Sequence, residues 1–211
     1  MVPSLWHPLT RLGEMTLLMP AALLAALLLW HGDITRPLAR RWLIWLVVGA
    51  LFTTVTKLAF LGWGVGIAAL DFTGVSGHAM FAAAIYPTLV VTLASRLSPL
   101  SQRVWLALGV LLAVAVGFSR IQVGAHSLSE VIAGLAVGGA VSAMALLFKP
   151  LPRNVSGWLA PLLVAAWLLV SPLHAPPSPT HSWVIKLSLL LAGKDSPYTR
   201  TEMLKRHVEV L

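Results

Sequence analysis

The chain has 211 residues, 58% of them hydrophobic and 10% charged, with a mean hydropathy of +0.85, a balance that excludes an ordinary soluble domain. Fifteen Lys and Arg against seven Asp and Glu give a net charge of +8, but the cations cluster at the ends of apolar runs, where they report orientation and contact with lipid phosphates; nucleic acid is excluded as a partner by those same runs. There is no cysteine, which excludes disulfides and thiolate metal sites.

No internal repeat or low-complexity linker divides the chain, so residues 1–211 are expected to form a single membrane domain. Six runs are apolar enough over about 17 to 22 residues to cross the hydrocarbon core as helices. They lie near 14–31, 41–61, 78–95, 103–119, 126–148 and 157–173. The first could imitate the apolar region of a signal peptide. It lacks a strongly basic lead, however, and continues into "WHGDITRP" where a small-residue cleavage site would stand, so it is expected to remain as the first span. The links "RPLARR", "SRLSPLSQR" and "KPLPR" are short and basic and are expected to be cytoplasmic. The longer "LGWGVGIAALDFTGVSG" and the mixed "SRIQVGAHSLS" then open on the opposite face, with both termini. In the fifth run, "VIAGLAVGGAVSAMALL", small residues near a spacing of four predict close helix packing. After the Pro-rich "HAPPSPTHS", the segment "WVIKLSLLLAGK" is too short to span; it reads as a short interfacial helix or a cap on the bundle. The fold class expected is an all-α integral membrane protein, a six-helix transmembrane bundle with a short carboxy-terminal interfacial helix.

Ionisable residues at membrane depth are functional candidates by default. On the proposed outer face these are Lys57, Asp71, Ser76, Gly77, His78, Ser119, Arg120, His126 and Glu130. "GVSGHAM" sets a glycine, a hydroxyl and a histidine at the start of an apolar run, where unpaired helix N–H groups make an anion site. His126 and Glu130 are four residues apart, so on a helix the carboxylate accepts a proton from one imidazole nitrogen and leaves the other free to attack. Two imidazoles, two fixed cations, an anion-binding helix start and an orienting carboxylate together fit phosphoryl transfer. Lys57 and Arg120 would neutralise phosphoryl oxygens, with N–H groups near Ser76 to His78, while one histidine attacks phosphorus and the other protonates the leaving oxygen.

These segments resemble the type 2 phosphatidic acid phosphatase superfamily, whose pattern reads K-x6-R-P, P-S-G-H and S-R-x5-H-x3-D. The third motif is met by Ser119, Arg120 and His126, with Glu130 at the aspartate position; the second by Ser76, Gly77 and His78, with Val75 for the proline. Of the first only Lys57 is present, and Gly64–Val65 stand where Arg-Pro would. The resemblance covers about residues 41–148, leaving a tail of about 174–211.

It implies His126 as the nucleophile of a phosphohistidine intermediate, Glu130 as its orienter, His78 as general acid, and Lys57, Ser76, Gly77 and Arg120 as phosphate ligands. It also implies no metal and no cofactor, against a rival zinc set of His78, His126, Asp71 and Glu130. The missing arginine removes a bidentate clamp. Lys186, Lys194 and Arg200 are its candidate replacements, on a tail expected to fold back over the site. Glu for Asp at position 130 adds about 1.5 Å of reach, so either the backbone retreats or the histidine is held differently. The function expected is hydrolysis of a lipid phosphomonoester or pyrophosphate at the periplasmic face of a bacterial inner membrane. Undecaprenyl pyrophosphate is the first substrate, followed by phosphatidylglycerol phosphate, phosphatidic acid and lipid A. A lipid phosphotransferase and a non-catalytic lipid-binding or transport protein on the same scaffold are the alternatives. The sequence carries no sign of oligomeric state.

Overall fold

The computed structural model describes residues 6–146, 152–153, 155, 159–174 and 178–210. Among these the chain is all-helical: α1 (Trp6–Arg11), α2 (Met15–Trp30), α3 (Arg36–Trp63), α4 (Gly77–Leu93), α5 (Pro99–Gln122), α6 (Leu128–Leu146), α7 (Leu159–His174), α8 (Thr180–Ala192) and α9 (Arg200–Val210). A 3-10 turn at Ala68–Leu70 lies between α3 and α4. Helices α3, α5 and α6 are each long and apolar enough to cross a membrane, and α2 and α4 are shorter apolar helices. The chain is a multi-pass membrane protein. Outward rows such as Val47, Leu51 and Val55 on α3 and Leu108, Leu111 and Phe118 on α5 stay exposed, as suits faces that lipid covers.

Helix α4 is the centre. Its residues Ala79 to Leu89 are almost wholly buried, and α2, α3, α5 and α6 pack around it; a helix apolar on all sides is a buried helix. The close contact with α6 comes from the small-residue row. A Cβ on Gly134 would stand 2.6 Å from the Ser76 carbonyl oxygen, and one on Gly138 only 2.1 Å from that of Met80. The backbones of the two helices therefore touch one turn apart, which fixes the start of α4 against the start of α6. On α5, Gly109 makes the same approach to Tyr86 and Pro87. Trp42 ties α3 to the core by donating Nε1–H to the Ala84 carbonyl at 2.9 Å.

Three expectations change. "RPLARR" is not a link but the first turns of α3. Pro37 sits where no backbone donor is needed, arginine is a good helix former, and the connection from α2 shrinks to residues 31–35. There the Thr35 hydroxyl donates to Leu29 O at 2.6 Å. Likewise α5 starts at Pro99, with Ser98 capping it by accepting from the Ser101 N–H at 3.2 Å, so only part of "SRLSPLSQR" is a connection. The tail forms two helices where one was expected, and α8 packs on α3, with Ser188 and Ala192 against Gly62. "KPLPR" and "HAPPSPTHS" lie partly outside the described residues.

Gly138→Ala is expected to lower stability by about 1–3 kcal/mol through overpacking. Gly139→Ala, on the same helix with nothing within 4 Å of its added methyl, should be neutral or stabilising by up to about 1 kcal/mol. Thermal unfolding in detergent compares the two.

Candidate active site

At Gly64, in a left-handed conformation (φ 72°), α3 stops. The chain then turns tightly, with Ile67 and Phe72 exchanging backbone hydrogen bonds of 2.9 and 3.0 Å and Asp71 at positive φ between them. The returning strand of this turn lies down on α3. Gly74, at φ 141°, lets the backbone pass Lys57 so closely that a Cβ there would be 3.3 Å from the Lys57 Cα. One residue on, the Val75 N–H donates to Thr56 Oγ1 at 3.1 Å. A proline at 75 has no such proton, which is the physical reason valine fits here. Ser76 N–H then donates to the Glu130 carbonyl at 3.1 Å, and Met80 N–H to Ser76 O makes the first bond of α4. The N–H groups of Gly77, His78 and Ala79 precede that bond and are the unpaired donors of the helix start.

The second half of the site comes from α5 and α6. Ser127, immediately before α6, and Glu130 form a reciprocal cap: Glu130 N–H donates to Ser127 Oγ at 3.4 Å and Ser127 N–H to Glu130 Oε2 at 3.2 Å. This S-x-x-E box requires the reach of glutamate, so the extra methylene at 130 has a local use. The same Oε2 accepts the His126 Nδ1–H at 2.7 Å. Oε1 accepts from the Thr73 N–H at 2.8 Å and the Thr73 hydroxyl at 2.5 Å. Arg200, the first residue of α9, donates Nη2–H groups to both oxygens at 2.9 Å, and its Nη1 pairs with Asp71 Oδ2 at 2.6 Å. Glu130 has no exposed side-chain surface.

These groups surround a cavity of about 740 Å³ whose wall includes Glu14, Lys57, Gly77, His78, Arg120, His126, His181 and Arg200. Among the described residues Lys57 is in no ion pair; its Nζ would be 3.7 Å from a Cβ on Gly77, beside the α4 start. Arg120 donates Nη1–H to Thr10 Oγ1 at 2.8 Å, while its buried Nε has no partner. Two cations with so little counter-charge suit an anion. Burial pushes the His126 imidazole below its usual value, the Glu130 hydrogen bond opposes this, and the Lys57 and Arg120 charges add to the depression. His126 is therefore neutral at pH 7, with Nδ1–H held by Glu130 and the Nε2 lone pair available.

Six of the nine outer-face residues named from sequence belong to this assembly directly: Lys57, Gly77, His78, Arg120 and His126 line the cavity, and Glu130 stands behind His126. Asp71 anchors Arg200. Ser76 and Ser119 are not on the cavity wall: Ser76 Oγ is buried without a partner and Ser119 Oγ donates to Val116 O at 2.6 Å. Of the tail cations, Arg200 reaches the site, whereas the Lys194 ammonium lies 3.9 Å over the Tyr198 ring. Among the described residues no three His, Asp or Glu side chains converge as a metal cage, so the zinc set is not brought together. Glu14, Thr73 and His181 went unnamed in the sequence reading. The S-x-x-E signature at 127–130 was readable; an acidic residue before a first apolar run carries no such signal.

A family model of the PAP2 superfamily matches residues 68–153. The chain belongs to the PAP2 superfamily. The matched stretch holds His78, Arg120, His126 and Glu130, and leaves Glu14, Lys57, His181 and Arg200 outside. Over 208 residues the chain is 35% identical to an uncharacterised 22.5 kDa protein in the cps region of Klebsiella pneumoniae, covering 95% of this chain and 98% of that one. It is 39% identical over 71 residues to phosphatidylglycerophosphatase B of Bacillus subtilis strain 168, covering 32% and 34%. No solved structure matches.

Lys57→Met removes a charge that depresses the His126 imidazole, so the His126 titration midpoint, followed by NMR of the ring, is expected to rise; an unchanged or lower midpoint would contradict the electrostatic assignment.

Proposed function

We propose that this protein is a lipid phosphatase that hydrolyses a phosphomonoester or pyrophosphate headgroup through a phosphohistidine on His126. The observation that carries the reading is the 2.7 Å bond from His126 Nδ1–H to a buried Glu130, which presents Nε2 as nucleophile beside a cavity lined by Lys57, Arg120 and Arg200. In the first step Nε2 attacks phosphorus and a P–N bond forms. The P–O bond to the leaving group breaks, and His78 gives that oxygen a proton. In the second step His78 takes a proton from water as the water oxygen attacks phosphorus, the P–N bond breaks and phosphate is released. Glu130 stabilises the imidazolium character that His126 acquires, while the cations and the N–H groups of Gly77 and His78 neutralise the equatorial oxygens. No step is assigned to a metal or a cofactor.

Arg200 is the cation that replaces the absent first-motif arginine. It pairs with Glu130 and Asp71 and would turn one edge of its guanidinium to the phosphoryl group of a bound substrate. The substrate is a lipid because the site opens at the end of an apolar bundle, with Phe60, Phe81, Trp183 and Leu187 also on the cavity wall. Undecaprenyl pyrophosphate is the first choice. Phosphatidylglycerol phosphate, the substrate class named for the Bacillus subtilis relative, is the second. In the membrane, helices α2 to α7 would be six spans, with the basic ends of α3 and α5 cytoplasmic and the cavity facing the periplasm of a bacterial inner membrane.

Detergent-purified protein is expected to release inorganic phosphate from one of these lipids, and His126→Ala to abolish release. Unchanged turnover in that variant would refute the enzymatic reading in favour of a lipid-binding protein, and release that requires a second acceptor lipid would make the protein a transferase. Arg200→Ala should lower kcat/KM by about 10- to 100-fold, the loss of a charged hydrogen-bond donor, and Arg200→Lys should restore little of it.

A further inference from the structure

The amino-terminal segment is built against the proton-donating side of the site. Helix α1 packs on α5, Arg120 holds Thr10, and the Tyr86 hydroxyl donates to the Leu12 carbonyl at 2.7 Å. Gly13 follows, pressed so closely on the bundle that a Cβ there would lie 2.9 Å from His78 Cδ2 and 2.7 Å from a Val116 methyl. Glu14 is next. One carboxylate oxygen stands 3.4 Å from His78 Nε2, an ion-pair separation at which no well-formed hydrogen bond is made, and the other accepts the Ser178 N–H at 3.1 Å. Both side chains are largely buried, at 22% exposure for His78 and 16% for Glu14, and both line the cavity.

A carboxylate on the wall of an anion-binding cavity repels the ligand unless its charge is matched locally. Arg120 is already drawn to Thr10, and Lys57 stands by Gly77, which leaves the His78 ring as the group in direct contact with Glu14. The match is complete when that ring is an imidazolium. Contacts of this kind are often long without substrate and tighten in the complex.

We infer that Glu14 is a positioning residue that orients His78 and holds it in the protonated form from which it delivers its proton to the leaving oxygen. This rests on the reading of His78 as general acid. When the P–O bond breaks, the proton passes to the departing oxygen and the ring is left neutral beside Glu14; it is recharged by the water that attacks the phosphohistidine. The groups facing His78 are Glu14 from the start of α2, Arg120 from α5 and Lys57 from α3. Burial and the two cations disfavour a charged ring there, and Glu14 alone favours it. Ser178 holds the second carboxylate oxygen, so the tail fixes the same carboxylate.

The test is the pH dependence of phosphate release and, separately, a histidine NMR titration in detergent with the His78 signal identified by its loss in His78→Gln. In Glu14→Gln the alkaline limb of kcat/KM and the His78 midpoint should both move to lower pH by about one unit. The acid limb, set by His126, should stay in place. Glu14→Asp should shift them less in the same direction, and serves alone if the Gln variant does not fold. A limb and midpoint that remain at the wild-type pH, with activity lowered equally at every pH, would overturn the inference and leave Glu14 a structural residue. Absence of phosphate release by the wild type would instead sink the phosphatase reading, while the NMR midpoint still decides the Glu14–His78 coupling.

Discussion

A carboxylate with no exposed surface organises the site. Glu130 accepts hydrogen bonds from His126, Ser127, two groups of Thr73 and Arg200, which engages both oxygens from three separate pieces of chain. Burying such a charge is expensive unless it is paired and hydrogen-bonded throughout. That requirement makes the loop after α3, the start of α6 and the start of α9 mutually dependent. If one donor withdraws, the charge it leaves uncompensated acts on all the others, and the orientation of the His126 ring is among the first things to suffer.

The positions of these donors trace back to backbone contact between helices. Gly134 and Gly138 bring α6 onto the backbone of α4 at Ser76 and Met80, so the Ser76 N–H can reach the Glu130 carbonyl. That contact sets the helix start carrying His78 beside the one preceded by His126. Within lipid there is little hydrophobic drive between helices, so such close van der Waals contact is what holds them in register. The geometry of the reacting groups therefore rests on glycines that take no part in the chemistry.

Most of the cavity wall is contributed from outside the stretch the family model matches. Lys57 comes from α3, Glu14 from the amino-terminal arm, His181 and Arg200 from the tail. The tail is anchored where the first-motif arginine is missing. Tyr198 lies against Gly64, its N–H donating to the Leu61 carbonyl at 2.9 Å, and Arg200 follows two residues later. A side chain at position 64 would press on the Tyr198 ring, so the glycine that ends α3 also leaves room for the segment that carries Arg200.

The sequence by itself determined the local features. Apolar runs located α2 to α7, small-residue spacing marked α6 as a close-packing helix without naming its partner, and the four-residue interval from His126 to Glu130 survives as a 2.7 Å hydrogen bond. These are properties of neighbouring residues, set by helical period and capping chemistry. The arginine-rich start of α3 was misread because a charge pattern reports where a membrane ends and says nothing about where a helix does. Only the tertiary structure decided which distant groups meet. Glu14 finds His78, Thr73 finds Glu130, and Arg200 reaches both Glu130 and Asp71. It also buried the hydroxyl of Ser76 without a partner and gave Val75 an N–H partner in Thr56. Those pairings join segments far apart in the chain, and packing against α4, which no local period encodes, brings them together.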